Sequence, residues 1–305
     1  MRLVVALGGN ALLRPGDTPD AATQRGNVRR AVTALAPLAA EHELLIAHGN
    51  GPQIGLLALQ DRPGHYPLDV LDAETEGMIG YLVQQELDNA LPAGRRCAAL
   101  VTQVEVAADD PAFEHPTKPI GRRYPPDTAR ELAARLGWRL VEDGDGLRRV
   151  VASPRPQAIV ERDIVAWLLA AGAVVICAGG GGIPVVRRAD GSLVGVEAVI
   201  DKDHASALLA RELHANALLL LTDVDAVYDG WGGPAPRAWR EIDCATLAAH
   251  DFAAGSMGPK VAAACAFAAS GGFAAIGALD AAADLLAGRA GTRVVGSDTT
   301  AQFWD

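Results

Sequence analysis

Leu3-Val4-Val5-Ala6-Leu7-Gly8-Gly9-Asn10 is a short apolar run that stops in glycine. An unbroken run of aliphatic residues fits a strand covered on both faces, as in a parallel sheet. The two glycines that follow leave backbone N–H groups with no Cβ in front of them, so an anion can approach closely. The pattern recurs twice: 44–47 runs into His48-Gly49-Asn50-Gly51-Pro52, and 174–178 runs into Gly179-Gly180-Gly181-Gly182. Further strands are expected at 98–104 and 217–222. Helices are expected at 24–41, 54–60, 77–91, 127–136, 161–171, 205–213 and 261–269. Strands alternating with helices predict an α/β chain with a parallel sheet under helices. In such sheets ligands bind outside the carboxyl ends of the strands, so three glycine-rich strand ends predict one extended cleft.

Two segments break the alternation. Residues ~105–156 are dense in proline, charge and glycine, and read as an inserted lid subdomain. Residues 229–237, Asp-Gly-Trp-Gly-Gly-Pro-Ala-Pro-Arg, read as a plain surface loop.

Of the chain's 305 residues, 27 are basic, and only Lys118, Lys202 and Lys260 are lysines. Each lies in a stretch punctuated by glycine, proline or aspartate: Pro116-Thr117-Lys118-Pro119-Ile120-Gly121, Asp201-Lys202-Asp203 and Gly255-Ser256-Met257-Gly258-Pro259-Lys260. Lysine is a compact point charge and arginine a wide planar fork, so a site placing single cations around a moving phosphoryl group would reject arginine. Proline after Gly51 and Gly258 suits a first helical turn, whose free N–H groups favour anions. A cation such as Lys260 is unfavourable there for the helix itself, and a nucleotide phosphate would give it a reason. The apolar run ending at Leu221 emits Thr222, Asp223 and Tyr228, groups suited to a base and ribose.

The composition excludes several classes. Net charge is −10 and no basic stripe is interleaved with aromatics, so no nucleic-acid partner is expected. No stretch approaches the ~20 apolar residues of a membrane span, and the N-terminus enters a strand without a signal-peptide pattern. A cytoplasmic protein is therefore expected. The four cysteines show no Cys-x-x-Cys pair and read as reduced and buried, with no metal. No P-loop motif and no protein-kinase motif set occurs. Gly49-Asn50-Gly51 with Gly55 approaches a dinucleotide fingerprint, which leaves a nicotinamide-dependent oxidoreductase as a rival reading.

The same segments, joined by Gly77-Met78-Ile79-Gly80-Tyr81, Ile183-Pro184-Val185 and Gly195-Val196-Glu197-Ala198, resemble the carbamate kinases of the amino acid kinase superfamily. They occur in family order across nearly the whole chain. The resemblance implies a three-layer αβα sandwich with a mainly parallel central sheet and a small inserted lid. The single domain would divide into a carbamate half (~1–175) and a nucleotide half (~176–305). It implies reversible phosphoryl transfer between carbamoyl phosphate and ADP, giving ATP and carbamate. Mg²⁺ would be held mainly by substrate phosphates, with Asp203 as a further ligand, and the protein would be a homodimer. Gly8, Gly9, Asn10, Gly49, Asn50 and Gly51 would hold the carbamoyl and phosphoryl end. Thr222, Asp223, Tyr228, Met257 and Lys260 would face the nucleotide. Lys202 would neutralise the transferring group, Asp203 would orient the cations, and Lys118 would reach in from the lid. A catalytically silent carbamoyl-phosphate sensor is the other alternative. Leu147 and Ala152 stand where the family pattern has tryptophan and proline, and 273–279 carries small residues where bulkier ones are expected.

Overall fold

Ala217–Thr222 (β12), Arg2–Leu7 (β1) and Glu43–His48 (β2) lie side by side and parallel, with Leu3 opposite Ala217 and Leu44. They form the middle of a 10-stranded sheet in the computed structural model. That model describes all residues except Pro15, Pro19, Gly51, Pro52, 61–65, Ala254, Ser297 and Asp298, and except the side chains of Asn10, Leu56, Ala58, Leu59 and Gln60. Parallel pairing continues through Val174–Ile176 (β9) to the edge strand Cys97–Ala99 (β3), and on the other side to Phe273–Ala278 (β15). Thr292–Val295 (β16) pairs antiparallel to β15, and beyond it lie Arg237–Asp243 (β14), Tyr228–Asp229 (β13) and Gln302–Phe303 (β17).

The strand side chains alternate between two cores, as a pleated sheet requires. Val4, Ala6, Leu45 and Leu218 pack with Arg162–Ala170 (α5), Lys202–Glu212 (α6) and Met257–Ala268 (α8). Leu3, Val5, Leu44 and Leu219 face Ala21–Glu41 (α1), Leu68–Ala90 (α3) and Ala282–Leu286 (α9). Each fully buried Val, Leu or Ile contributes roughly 1.5–3 kcal/mol. The result is three layers: helices, a mainly parallel sheet, helices.

Two smaller sheets stand beside this body. Leu193–Gly195 (β11), Ile183–Arg187 (β10), Gln103–Val106 (β4) and Pro156–Ile159 (β8) form one; Lys118–Tyr124 (β5), Gly146–Val151 (β7) and Arg139–Asp143 (β6) form the other, with Pro126–Leu136 (α4). The expected strand at 98–104 is thus two strands in different sheets. Gln53–Gln60 (α2) packs on β5, and Cys244–Ala248 (α7) precedes α8. The small residues of 273–279 are fitted to their neighbours: a Cβ on Gly277 would stand 2.7 Å from Leu285 Cδ2 and 2.8 Å from the Asp225 carbonyl. Ala152 is buried, and its carbonyl accepts from Val199 N at 2.9 Å. Although 21 residues apart, Cys244 and Cys265 meet, with Cys244 Sγ 3.6 Å from the Cys265 carbonyl; all four cysteines are free.

Candidate active site

Because β1, β2, β9 and β12 are parallel, their glycine-rich and polar exits open at one end of the sheet. Gly8 N donates to Leu221 O (3.2 Å) and Gly49 N to Leu7 O (3.0 Å), so neighbouring exits are tied by the last rungs of the ladder. A Cβ on Gly49 would approach Gly9 N to 3.2 Å, and one on Gly8 would meet Leu221 O at 3.1 Å. Both are close approaches that glycine eases, at Gly49 between two strand-end loops and at Gly8 against the end of β12. Asn50 is buried and its Nδ2 donates to Asp72 Oδ1 at 3.0 Å. Asn10 lies in a turn of 3₁₀ helix, Gly9–Ala11, with its side chain outside the described set; Gly51 is also outside it.

The three lysines converge on Asp201-Lys202-Asp203. Asp201 caps α6, its Oδ1 accepting from Asp203 N at 2.9 Å, so the motif is fixed to a helix start. Its Oδ2 accepts from Lys118 Nζ at 2.5 Å, which ties β5 to α6. Asp203 takes Lys202 on Oδ1 and Lys260 on Oδ2, the latter at 3.0 Å. Lys260 sits in the first turn of α8 and pairs across to Asp203, which supplies the reason for a cation at that helix end. Lys202 is only 9% exposed and Asp203 4%. The Lys202 stem passes beside the strand-end loops, its Cδ 3.5 Å from where a Cβ on Gly49 would stand.

Burial would raise both carboxyls. Lys118, then Lys202, hold Asp201 well below the usual carboxylate range, and Lys202 and Lys260 hold Asp203 down in the same way. Burial and then repulsion from Lys202 lower the Lys260 ammonium, against the pull of Asp203. Three ammonium groups against two carboxylates leave an excess of one positive charge in a buried site on a chain whose net charge is −10. Such a site favours a multiply charged anion.

Lys260 also lines a cleft of about 1110 Å³ that reaches Gly8 and Gly9 at one end. Thr222, Asp223, Tyr228 and Met257 line the same cleft. The Tyr228 hydroxyl donates to both oxygens of Asp225 (2.9 and 3.0 Å), which pushes its own pKa up. Thr222 Oγ1 donates to Asp223 Oδ1 at 3.0 Å. Trp231 joins this set, although nothing in the sequence marks it. Positive φ at Gly230 and Gly232 turns the loop back, Trp231 lines the cleft, and its ring centroid lies 5.1 Å from that of Tyr228. Gly230 and Trp231, in a stretch expected to be a plain surface loop, therefore belong to the wall of the cleft.

Gly55 does not serve a dinucleotide fingerprint. A Cβ on it would overlap Gly121 Cα at 2.0 Å, so its role is the close crossing of α2 over β5.

The family model described as the amino acid kinase family matches residues 1–276. A carbamate kinase of Rhizobium meliloti is 54% identical over 286 residues, covering 92% of this chain and 88% of its own. A carbamate kinase of Haemophilus influenzae is 52% identical over 300 residues, covering 96% of each. Among solved structures, carbamate kinase from Giardia lamblia bound to AMP-PNP superposes with a TM-score of 0.85 at 40% identity, covering 97% of this chain and 98% of its own.

Proposed function

Since the chain belongs to the amino acid kinase family and within it to the carbamate kinases, we propose that its cleft moves a phosphoryl group between carbamoyl phosphate and ADP. A β-phosphate oxygen of ADP forms the new P–O bond while the P–O bond to the carbamoyl group breaks. The electron pair leaves with carbamate, which then decays to ammonia and CO₂; the reverse reaction uses ATP and carbamate. Such transfer needs positioning and charge stabilisation and no side-chain nucleophile.

The observation that carries this reading is the convergence of Lys118, Lys202 and Lys260 on two adjacent carboxylates beside the glycine loops. Lys202 and Lys260, held at opposite oxygens of Asp203, neutralise the equatorial oxygens of the transferring group, and Asp203 sets their separation. Gly9 N and the second N–H of the Asn50 amide offer donors to the carbamoyl phosphate end, while Gly8 and Gly49, whose N–H groups close the strand ladder, let the anion approach where no Cβ stands. Gly51 and the Asn10 side chain belong to the same proposal from the sequence alone. Thr222, Asp223, Tyr228, Trp231 and Met257 receive the nucleotide. Lys118 arrives from the three-stranded sheet of β5, β6 and β7, which acts as a lid over the carbamate half.

Mg²⁺ fits this donor set. Asp203 already serves two ammonium groups, and among the described residues no three His, Cys, Asp or Glu side chains gather as a metal cage. A magnesium ion would therefore sit mainly on substrate phosphates, with Asp203 as the chain's own oxygen ligand. When bound, it neutralises phosphate charge.

Met78, Tyr81 and Val101 are large apolar residues exposed beside the edge strand β3, which supports a homodimer formed across that edge. Four free cysteines and the nature of both substrates support a cytoplasmic enzyme. Among the described residues no helix is long and apolar enough to cross a membrane. The test is ATP formation from ADP and carbamoyl phosphate with Mg²⁺. ATP above the spontaneous background is the expected result, and its absence refutes the proposal.

A further inference from the structure

The chemistry above leaves a group of buried titratable side chains unused. His48, Asp72 and Glu76 are each at most 3% exposed and lie beneath the glycine loops. Asp72 and Glu76 are one turn apart on the same face of α3. Asp72 Oδ1 accepts from Asn50 Nδ2. Glu76 accepts two backbone donors, Gly179 N on Oε1 at 2.8 Å and Thr102 N on Oε2 at 2.9 Å. Thr102 in turn accepts from Ala178 N on Oγ1 at 3.0 Å.

The segment held this way turns through the left-handed half of conformational space, at Ala178 (φ 51°), Gly180 (69°), Gly181 (110°) and Gly182 (84°). Glycine adopts such angles freely, so the strain lies at Ala178, and a non-glycine residue persists there only where its surroundings over-determine it. The segment also packs closely against Asn50 and against Ile200, the residue before Asp201. A Cβ on Gly180 would stand 2.7 Å from Asn50 Nδ2, and one on Gly181 would stand 2.4 Å from the Ile200 carbonyl, next to Asp201. A Cβ on Gly179 would meet the His48 ring at 2.4 Å. The loop is thus wedged between Asn50 and the start of α6, with α3 as its floor.

We propose that Asp72 and Glu76 are positioning residues: from α3 they hold the Asn50 amide and the 179–182 loop in the arrangement that receives carbamoyl phosphate. The proposal rests on the carbamate kinase reading. Neither residue touches substrate. Their demands differ, because Asp72 is asked for one acceptor and Glu76 for two. Asparagine keeps the oxygen that Asn50 uses, whereas glutamine at 76 can accept from only one of Gly179 N and Thr102 N and turns an NH₂ toward the other.

The test compares Asp72→Asn, Asp72→Ala and Glu76→Gln with wild type at about pH 9, above the value of about 8 to which burial pushes the Glu76 carboxyl. Steady-state KM is measured separately for carbamoyl phosphate and ADP, and hydrogen exchange is followed across the peptide containing 178–182. Asp72→Asn should stay within about threefold of wild type, while Asp72→Ala and Glu76→Gln raise KM for carbamoyl phosphate by about tenfold or more. KM for ADP should hold within about threefold in all three. Exchange at 178–182 should rise in Glu76→Gln and not in Asp72→Asn. Equal KM for carbamoyl phosphate in the asparagine and alanine variants overturns the proposal, as does a parallel loss of affinity for both substrates. If Glu76→Gln does not fold, the Asp72 pair decides alone. Absence of wild-type turnover would count against the functional reading instead, and the exchange result would still judge the positioning role.

Discussion

Replacing Lys202 by arginine keeps the charge and changes only its shape, so it isolates what the site asks of a lysine. Lys202 is 9% exposed, its Cδ lies 3.5 Å from the Cβ position of Gly49, and its ammonium rests on Asp203 Oδ1. The other oxygen of Asp203 is taken by Lys260 at 3.0 Å. A guanidinium must therefore push into the Gly9–Gly49 contact or swing off Asp203. Overpacking of this kind costs about 1–3 kcal/mol in stability. A cation no longer aimed at the transferring oxygens forfeits a donor worth about 2.7–4 kcal/mol in the transition state, or roughly 10²–10³ in kcat. The assay couples ATP formation to hexokinase and glucose-6-phosphate dehydrogenase, with the melting temperature measured in parallel. Lys202→Arg should lose at least about 100-fold in kcat, with KM for ADP changed by less than about threefold. A variant that folds and keeps kcat within about threefold would refute the argument that this position needs a compact point charge.

Trp231→Ala should raise KM for ADP by the equivalent of about 1–3 kcal/mol, the worth of base–aromatic stacking, and leave KM for carbamoyl phosphate alone; initial-rate kinetics check it, and the 69% exposure of Trp231 makes misfolding a poor explanation for a loss. Tyr81→Arg should shift the protein from dimer to monomer in analytical ultracentrifugation by placing a charge on the apolar patch beside β3. Two buried groups should give opposite pH signatures in melting temperature relative to wild type. Burial lowers His48 to about 4 from 6.5, so its contribution is present above pH 6.5 and lost as pH falls toward 4. Burial raises Glu76 to about 8 from 4.5, so its contribution is full below pH 4.5 and lost as pH rises through 8. Wild type should lose ground to His48→Gln on acidification and to Glu76→Gln as pH rises.

What the sequence made legible was the sheet and the ends of its strands. Runs such as 3–7 and 217–222 are buried on both faces, so their apolar character is continuous, and glycine marks where they stop. The three lysines stood out because the chain otherwise uses arginine. Their convergence was not visible, since Lys118 and Asp201 are 83 residues apart and meet only through the fold. The first half of α3 was missed as well: the helix was expected from Gly77, whereas it begins at Leu68. Asp72 and Glu76 interrupt the apolar stripe there, and these acids face inward to hold loops. Thr102 looked like part of one strand over 98–104, yet its N–H turns to Glu76 and divides the run between two sheets. The same long-range pairing explains the ends of the 105–156 segment: β4 and β8, at its two borders, pair with each other, and β4 pairs on its other side with β10, in a sheet apart from the large one. Trp231 gave no periodic signal, because only the left-handed turns at Gly230 and Gly232 bring it to the cleft.

The central claim is that the cluster of three lysines passes a phosphoryl group from carbamoyl phosphate to ADP, without releasing it to water. Phosphorus-31 NMR of carbamoyl phosphate, ADP and Mg²⁺ with the protein tests this directly. The carbamoyl phosphate signal should be replaced by the γ-phosphate signal of ATP in matching amount, with inorganic phosphate no higher than in the protein-free control. Inorganic phosphate rising above that control without ATP, or no change beyond spontaneous breakdown, would contradict it.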